Sequence, residues 1–292
     1  MTIAIFGKTI PDNYMGYLQQ LTDHLSGADG PFWIFKPFAD ALGGKIRFEK
    51  PPVLFTRPDE IAGKADLCLS IGGDGTILEA VTVVRGSGIP IAGINMGRLG
   101  FLSGISKDAI LPSVSKMVAG DFQTEERTLI RLETSAGLFG DLNFSLNDMT
   151  VYKSHVQTLL TIKTYIDDEF LNSYWADGLI VATPTGSTAY SLSCTGPILT
   201  PDSENFVITP IASHNLTVRP IVVRDTSRIR IRVESKENAF FVSLDSRVEK
   251  VTGVLDLNVS RAAFTVRLVR LPGSSFFATI REKLNWGLDN RN

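Results

Sequence analysis

The first part of the chain alternates between two periodicities. Thr2–Gly7 is an apolar run ending in glycine and predicts a strand; Tyr14, Leu18, Leu21 and Leu25 then fall on one face of a helix. Ala65–Ile71 is apolar almost throughout and predicts a buried strand. A glycine turn follows, then helical spacing from about Thr76 to Val84, and another strand at Ile89–Ile94. Ala109, Pro112, Val114 and Met117 predict a helix closed by Gly120. Strands alternating with helices argue an α/β N-terminal domain with a mostly parallel sheet, over residues 1–125.

The pattern changes near Phe122. From Thr128 to Arg270 it consists mostly of short β runs. Ile229–Val233 alternates strictly, as a half-buried strand does, and Tyr165–Phe170 reads as a hairpin with an acidic turn. Phe240–Leu244, Val254–Val259 and Phe264–Val269 continue the pattern. Residues 126–269 are therefore expected to form an all-β, sandwich-like C-terminal domain. Helical spacing returns through Phe276, Ile280 and Leu284, so residues 270–292 are expected to pack back on the N-terminal domain. The sequence has no internal repeat and no low-complexity linker.

Composition narrows the function classes. At 292 residues the chain is long enough for two cores. Its net charge of −2 gives no broad basic field for nucleic acid or an anionic membrane, so small anions would have to be held by local groups. Two cysteines make no disulfide framework, and Cys68 lies in an apolar run, which fits a reduced, cytoplasmic protein. Met1–Gly7 lacks the basic start and cleavage pattern of a signal peptide, and no apolar run nears the ~18 residues of a membrane helix.

Four segments carry chemistry. Gly72-Gly-Asp-Gly-Thr76 follows a buried strand and precedes a helix. Its glycines let backbone N–H groups approach a phosphate, and the helix N-terminus adds partial positive charge. Asp74 is out of place there, because a carboxylate repels phosphate, unless it binds a metal or a hydroxyl proton; a tight capped turn is the plain alternative. Asp177–Ser193 gathers Thr183, Thr185, Ser187, Thr188, Ser191 and Ser193 around Pro184 and Gly186. Tyr190 in that block is placed to stack on a base, against the alternative of an ordinary Ser/Thr turn. Asn147-Asp148 suits ribose hydroxyls or an adenine edge, or a simple β-turn. Asn95–Ser103 leaves a strand end, with Arg98 for a phosphate and Phe101 to cover a base.

Other features lead elsewhere. Gly7-Lys-Thr9 lacks the first glycine of a Walker loop, no Gly-x-Gly-x-x-Gly or Gly-x-Ser-x-Gly occurs, and His24, His155 and His214 lack metal-ligand spacing.

In this order, the segments resemble the NAD kinase family of bacterial type. Its pattern is a GGDGT loop, an N-x-G-x-LGFL segment, an Asn-Glu pair and a DG(L/I)I-x-x-TPTGSTAYSLS block; Thr183–Ser193 reproduces the last residue for residue. The GGDGT loop alone is shared with diacylglycerol, sphingosine and phosphofructokinases. The resemblance implies transfer of the γ-phosphoryl of ATP (or polyphosphate) to the 2′-hydroxyl of the adenosine ribose of NAD. It also implies Mg²⁺ bound mainly through the triphosphate, no metal site on the protein itself, an active site between the two domains, and a homodimer or homotetramer. Asp74 aligns with the catalytic aspartate, and Gly75 with its loop partner. NAD contacts are implied for Phe101, Asn147, Asp148, Trp175, Asp177, Thr188, Ala189, Tyr190, Ser191, Leu192, Ser193 and Ala212. The sequence departs from the family at Asp148 (usually Glu), Ala182 (often Ser), Cys194 (often Ala) and Ser246-Arg247 (often Gly-Gln); Arg247 offers a cation for a phosphate. A lipid kinase would need a membrane-facing surface, and a dinucleotide sensor would bind NAD without turnover.

Overall fold

The structure is a computed structural model, which describes residues 1–27, 31–97 and 100–286. The chain divides into two compact units: Met1–Glu126 with Val266–Asn292, and Arg127–Thr265.

The first unit is built on one sheet. Its strands run in the order Val53–Phe55, Trp33–Phe35, Ile3–Gly7, Leu67–Gly72, Ile91–Asn95, Val266–Arg270, Gln123–Arg127, with Ile105–Ser106 paired to Ile91–Asn95. The pairings from Val53–Phe55 through Ile91–Asn95 are parallel. Leu67–Ile71 is buried throughout, as a strand covered on both faces must be. Helix Met15–Ser26 buries Leu18, Leu21 and Leu25, and helix Ile110–Val118 buries Ile110, Val114 and Met117, in one core with Ile5, Leu69 and Ile94.

Three details differ from the sequence reading. The helix after the glycine turn starts at Asp74, not Thr76, so the aspartate occupies its first turn. Trp33–Phe35 and Val53–Phe55 are additional strands, too short to show a period. Val266–Arg270 lies in the first unit's sheet rather than with the β half; its alternation is the same in either place, and only its parallel pairing through Leu268 and Ile91 separates the two.

The second unit is a sandwich of two six-stranded sheets. One runs Ile221–Arg224, Asn205–Ile211, Gly178–Ala182, Asp148–Lys153, Ala239–Leu244, Arg247–Thr252; the other runs Glu169–Ala176, Leu160–Ile166, Ile229–Ser235, Leu255–Arg261, Ile130–Glu133, Phe144–Ser145. All ladders are antiparallel. Val151, Val181, Phe206 and Val242 of the first sheet share a core with Ile162, Ile231 and Leu257 of the second. The acidic hairpin turn has Asp167 and Asp168 both at positive φ, the two-residue geometry that matches strand twist.

Candidate active site

In the first unit, strand Leu67–Gly72 ends in a turn that only glycine can make. Gly72 has φ of +154°, and a Cβ there would lie 2.1 Å from Thr76 Oγ1. Gly73 occupies the N-cap, and Asp74 opens the helix Asp74–Val84, where the helix dipole favours a carboxylate. Gly75 is exposed, with open space on its Cβ side.

The carboxylate of Asp74 points to the turn Gly100–Ser103. Phe101 N–H donates to Oδ2 (2.7 Å), while Leu102 N–H (3.1 Å), Ser103 N–H (2.9 Å) and Ser103 Oγ (2.8 Å) donate to Oδ1. Successive backbone N–H groups converging on one point form an anion nest, and here Asp74 fills it. Two glycines permit the approach. A Cβ on Gly100 would lie 1.8 Å from Asp74 Oδ1, and one on Gly93 would lie 2.8 Å from the Cα of Ser103. Phe101 therefore contributes its backbone to Asp74. Arg98 lies outside the described residues.

In the second unit the Asn147-Asp148 pair sits where three segments meet. Asp148 opens a strand paired to both Gly178–Ala182 and Ala239–Leu244. The Asp245 carboxylate accepts from the N–H groups of Leu146 (2.9 Å) and Asn147 (2.8 Å), and at 3.4 Å from Asp148. Thr183 binds the same stretch: its N–H donates to Asn147 O (2.9 Å) and its hydroxyl to Leu146 O (2.6 Å). A Cβ on Gly186 would lie 2.0 Å from Asn147 O, so the TPTG turn closes on this carbonyl only with glycine. Asn147 Oδ1 is buried and has no hydrogen-bond partner, an acceptor facing nothing that donates to it.

Asp148 is 7% exposed and its Oδ1 accepts from the Thr150 hydroxyl (2.9 Å). Burial, reinforced by the Asp245 carboxylate, pushes its pKa up to about 7. Burial also raises Asp245 and lowers Arg247. The Asp148 carboxylate lies close enough to raise both Tyr190 and Cys194, and Asp177 close enough to raise Tyr190. Tyr190 keeps 48% of its surface exposed, its pKa raised by burial first and then by Cys194. Asp177 pairs with Lys153 Nζ at 2.6 Å.

Most hydroxyls of the TPTGSTAYSLS block hold the chain together. Ser187 Oγ donates to Pro184 O (2.6 Å) and accepts from Leu199 N–H (3.0 Å); Ser191 Oγ bonds Thr209 Oγ1 (2.8 Å); Thr188 Oγ1 donates to Thr185 O (3.1 Å). Thr183, Ser187 and Ser191 have no exposed surface. The groups of the block that face outward are Tyr190 and Ser193, with Thr188, Ala189 and Leu192 partly so.

Comparison with known proteins decides the family. A family model for the ATP-NAD kinase N-terminal domain matches residues 51–122, and one for the ATP-NAD kinase C-terminal domain matches residues 146–271. An NAD kinase of Cytophaga hutchinsonii is 45% identical over 100% of both chains. The chain belongs to the ATP-NAD kinase family. An NAD kinase of Flavobacterium johnsoniae is 42% identical, again over 100% of both chains. Among solved structures, yeast NADH kinase complexed with NADH superposes with a TM-score of 0.87 at 24% identity, covering 99% of this chain and 89% of its own. An NAD kinase from Archaeoglobus fulgidus in complex with ATP gives 0.72 at 24%, covering 98% and 99%. At that identity the two structures speak for the ATP-NAD kinase fold alone.

The remaining positions singled out by the sequence fall near strand ends in both sheets of the second unit. Trp175 is exposed, its ring 5.6 Å from that of His214, and its backbone N–H donates to Asn215 Oδ1 (3.0 Å). Ala212 follows the strand Asn205–Ile211 at φ of +44°. Arg247 is turned elsewhere: its guanidinium donates to Leu142 O and Phe144 O and lies over the Phe144 ring. That removes the reason for reading it as a phosphate cation. Gly100 and Ser103, inside the Asn95–Ser103 segment but not singled out there, meet Asp74, while Lys153 and Asp245, outside the quoted motifs, meet Asp177 and the Leu146–Asp148 stretch. Asp245 was legible only as the residue before the Ser246-Arg247 departure.

Proposed function

We propose that the chain carries out its family's reaction by in-line transfer with Asp74 as general base. The γ-phosphoryl of ATP passes to the 2′-hydroxyl of the adenosine ribose of NAD, and the products are NADP and ADP. The observation that carries the base is the carboxylate itself. Among the described residues Oδ1 takes three donors and Oδ2 one, which leaves Oδ2 an acceptor position for the hydroxyl proton. As the ribose oxygen attacks the γ-phosphorus, its proton goes to Oδ2 and the β–γ bridging oxygen leaves with ADP. The N-terminus of helix Asp74–Val84, with open space at Gly75, favours the triphosphate.

The divalent cation, Mg²⁺, would enter as a complex with the triphosphate, bridging its phosphate oxygens and offsetting their charge. NAD is bound by Asn147, whose buried Oδ1 awaits a donor, by Asp148 and Asp177, and by Tyr190, whose exposed ring offers a stacking face. Family membership supports a homodimer or homotetramer, testable by sedimentation. Two free cysteines fit a cytoplasmic location, testable by fractionation.

The deciding experiment is an acceptor panel. The purified protein with ATP and Mg²⁺ is offered NAD, diacylglycerol or fructose 6-phosphate, and NADP is read with a strictly NADP-dependent dehydrogenase. Turnover of NAD alone is expected. Turnover of another acceptor without NAD sinks the reading, and NAD binding without turnover would make the chain a sensor.

A further inference from the structure

The bond network around Asp74 continues one step further into the first unit. Gly97 N–H donates to Asn95 Oδ1 (2.6 Å), which fixes the orientation of the Asn95 amide. Asn95 Nδ2 therefore faces Ser103 and donates to its Oγ (2.9 Å). Ser103 Oγ has a single proton and, with an acceptor position used by Asn95, directs that proton to Asp74 Oδ1 (2.8 Å). The direction of every bond in this chain is set, from the end of strand Ile91–Asn95 to the carboxylate. Asn95 is 3% exposed and Ser103 0%, so water has little access to replace either bond.

We propose that Ser103, oriented by Asn95, is a positioning residue for the reaction, loading Oδ1 of Asp74 so that Oδ2 is the oxygen left to accept the substrate proton. The inference rests on Asp74 being the base. Among the described residues the backbone donors already favour Oδ1 by two to one: Phe101 on Oδ2, Leu102 and Ser103 on Oδ1. The Ser103 hydroxyl adds a third donor to Oδ1, and among the described residues no side chain donates to Oδ2. Its effect belongs to the chemical step, because it changes how the carboxylate is held and touches no part of NAD or the triphosphate in this scheme.

The test separates kcat from KM. Ser103→Ala removes the hydroxyl, and Ser103→Cys keeps the side chain's shape with a weak donor; the second variant stands in if the first does not fold. Both are expected to lower kcat about tenfold with KM for NAD and for ATP within about twofold of the parent. Asn95→Ala alone should cost several-fold in kcat, and less than about twofold when added to Ser103→Ala, because Asn95 acts through Ser103. A folded Ser103→Cys enzyme with kcat within about twofold of the parent overturns the proposal. So does a loss that appears in KM with kcat intact, or an Asn95→Ala cost that is equal with and without Ser103. Asp74→Asn is run alongside. If it keeps parental kcat, the base reading has failed, whatever Ser103 shows.

Discussion

Gly100→Ala is the sharpest steric test of the Asp74 clamp. Gly100 does not occupy the left-handed region, so alanine meets no backbone penalty there. The obstacle is the carboxylate: the new methyl would lie 1.8 Å from Asp74 Oδ1, 2.4 Å from its Cγ and 2.5 Å from Ser103 Oγ. Carbon and its neighbours rest at about 3.5–4 Å. The carboxylate must therefore retreat by roughly 1.5 Å or more, which carries bonds of 2.7–3.1 Å past hydrogen-bonding range. A misplacement of about 1 Å at a reacting group costs on the order of 10²-fold. Expected, then, is a kcat loss of about 10²-fold or more, about 3 kcal/mol of barrier, with NAD affinity nearly unchanged. Losing one or two hydrogen bonds to a charged group also costs about 2–4 kcal/mol of stability. The assay couples NADP formation to an NADP-dependent dehydrogenase, and urea denaturation reads the stability. Gly104→Ala is the control, since its Cβ would meet nothing within 4 Å. A folded Gly100→Ala enzyme with kcat within about twofold of the parent would refute the clamp.

Three further perturbations probe the second unit. Tyr190→Ala should weaken NAD binding by ~1–3 kcal/mol, the scale of base–aromatic stacking, and leave ATP binding unchanged; calorimetric titration showing equal NAD affinity would reduce the ring to an exposed surface group. Asp148, lifted to about 7 by burial and Asp245, holds its proton in the folded state at pH values where the unfolded chain has lost it. Stability of the ligand-free protein should therefore fall as pH rises from about 4 to about 7, by up to about 3–4 kcal/mol. Asp148→Asn should flatten that slope, and denaturation curves with the same slope in both proteins would contradict this. Asp245→Ala removes the acceptor for the Leu146, Asn147 and Asp148 N–H groups and places alanine at φ of +53°. It should lose about 3 kcal/mol of stability and raise KM for NAD more than it lowers kcat, whereas Asp245→Asn, which tolerates that φ, should fall between.

The hydrophobic pattern carried the architecture where one face of an element is buried and the other is not. Ile229–Val233 shows this in its alternating burial, and so does the face Leu18, Leu21, Leu25. It failed where an element is three residues long, as at Trp33–Phe35, or where two sheets demand the same alternation, as at Val266–Arg270. Motif letters name residues and not the bonds among them. Backbone N–H groups bear no signature in side-chain letters, so the nest of Phe101, Leu102 and Ser103 on Asp74 was invisible, although Gly100 and Gly93 are its steric trace. The hydroxyls of Thr183, Ser187 and Ser191 tie chain segments together, which polarity alone does not distinguish from a hydroxyl that faces solvent.

Whether Asp74 takes the proton in phosphoryl transfer from ATP to NAD is read most directly from its charge. Asp74→Asn keeps the size of the side chain and one acceptor oxygen while removing the charge. Rapid-mixing single-turnover measurement of NADP formation, with saturating ATP, Mg²⁺ and NAD, isolates the chemical step for parent and variant. Expected are NADP from the parent, a rate lower by ~10²–10⁴-fold in the variant, unchanged NAD affinity, and no recovery when Mg²⁺ is raised. Partial recovery with added Mg²⁺ would assign Asp74 to the metal instead, and a folded variant reacting at the parental rate would leave Asp74 as a turn residue.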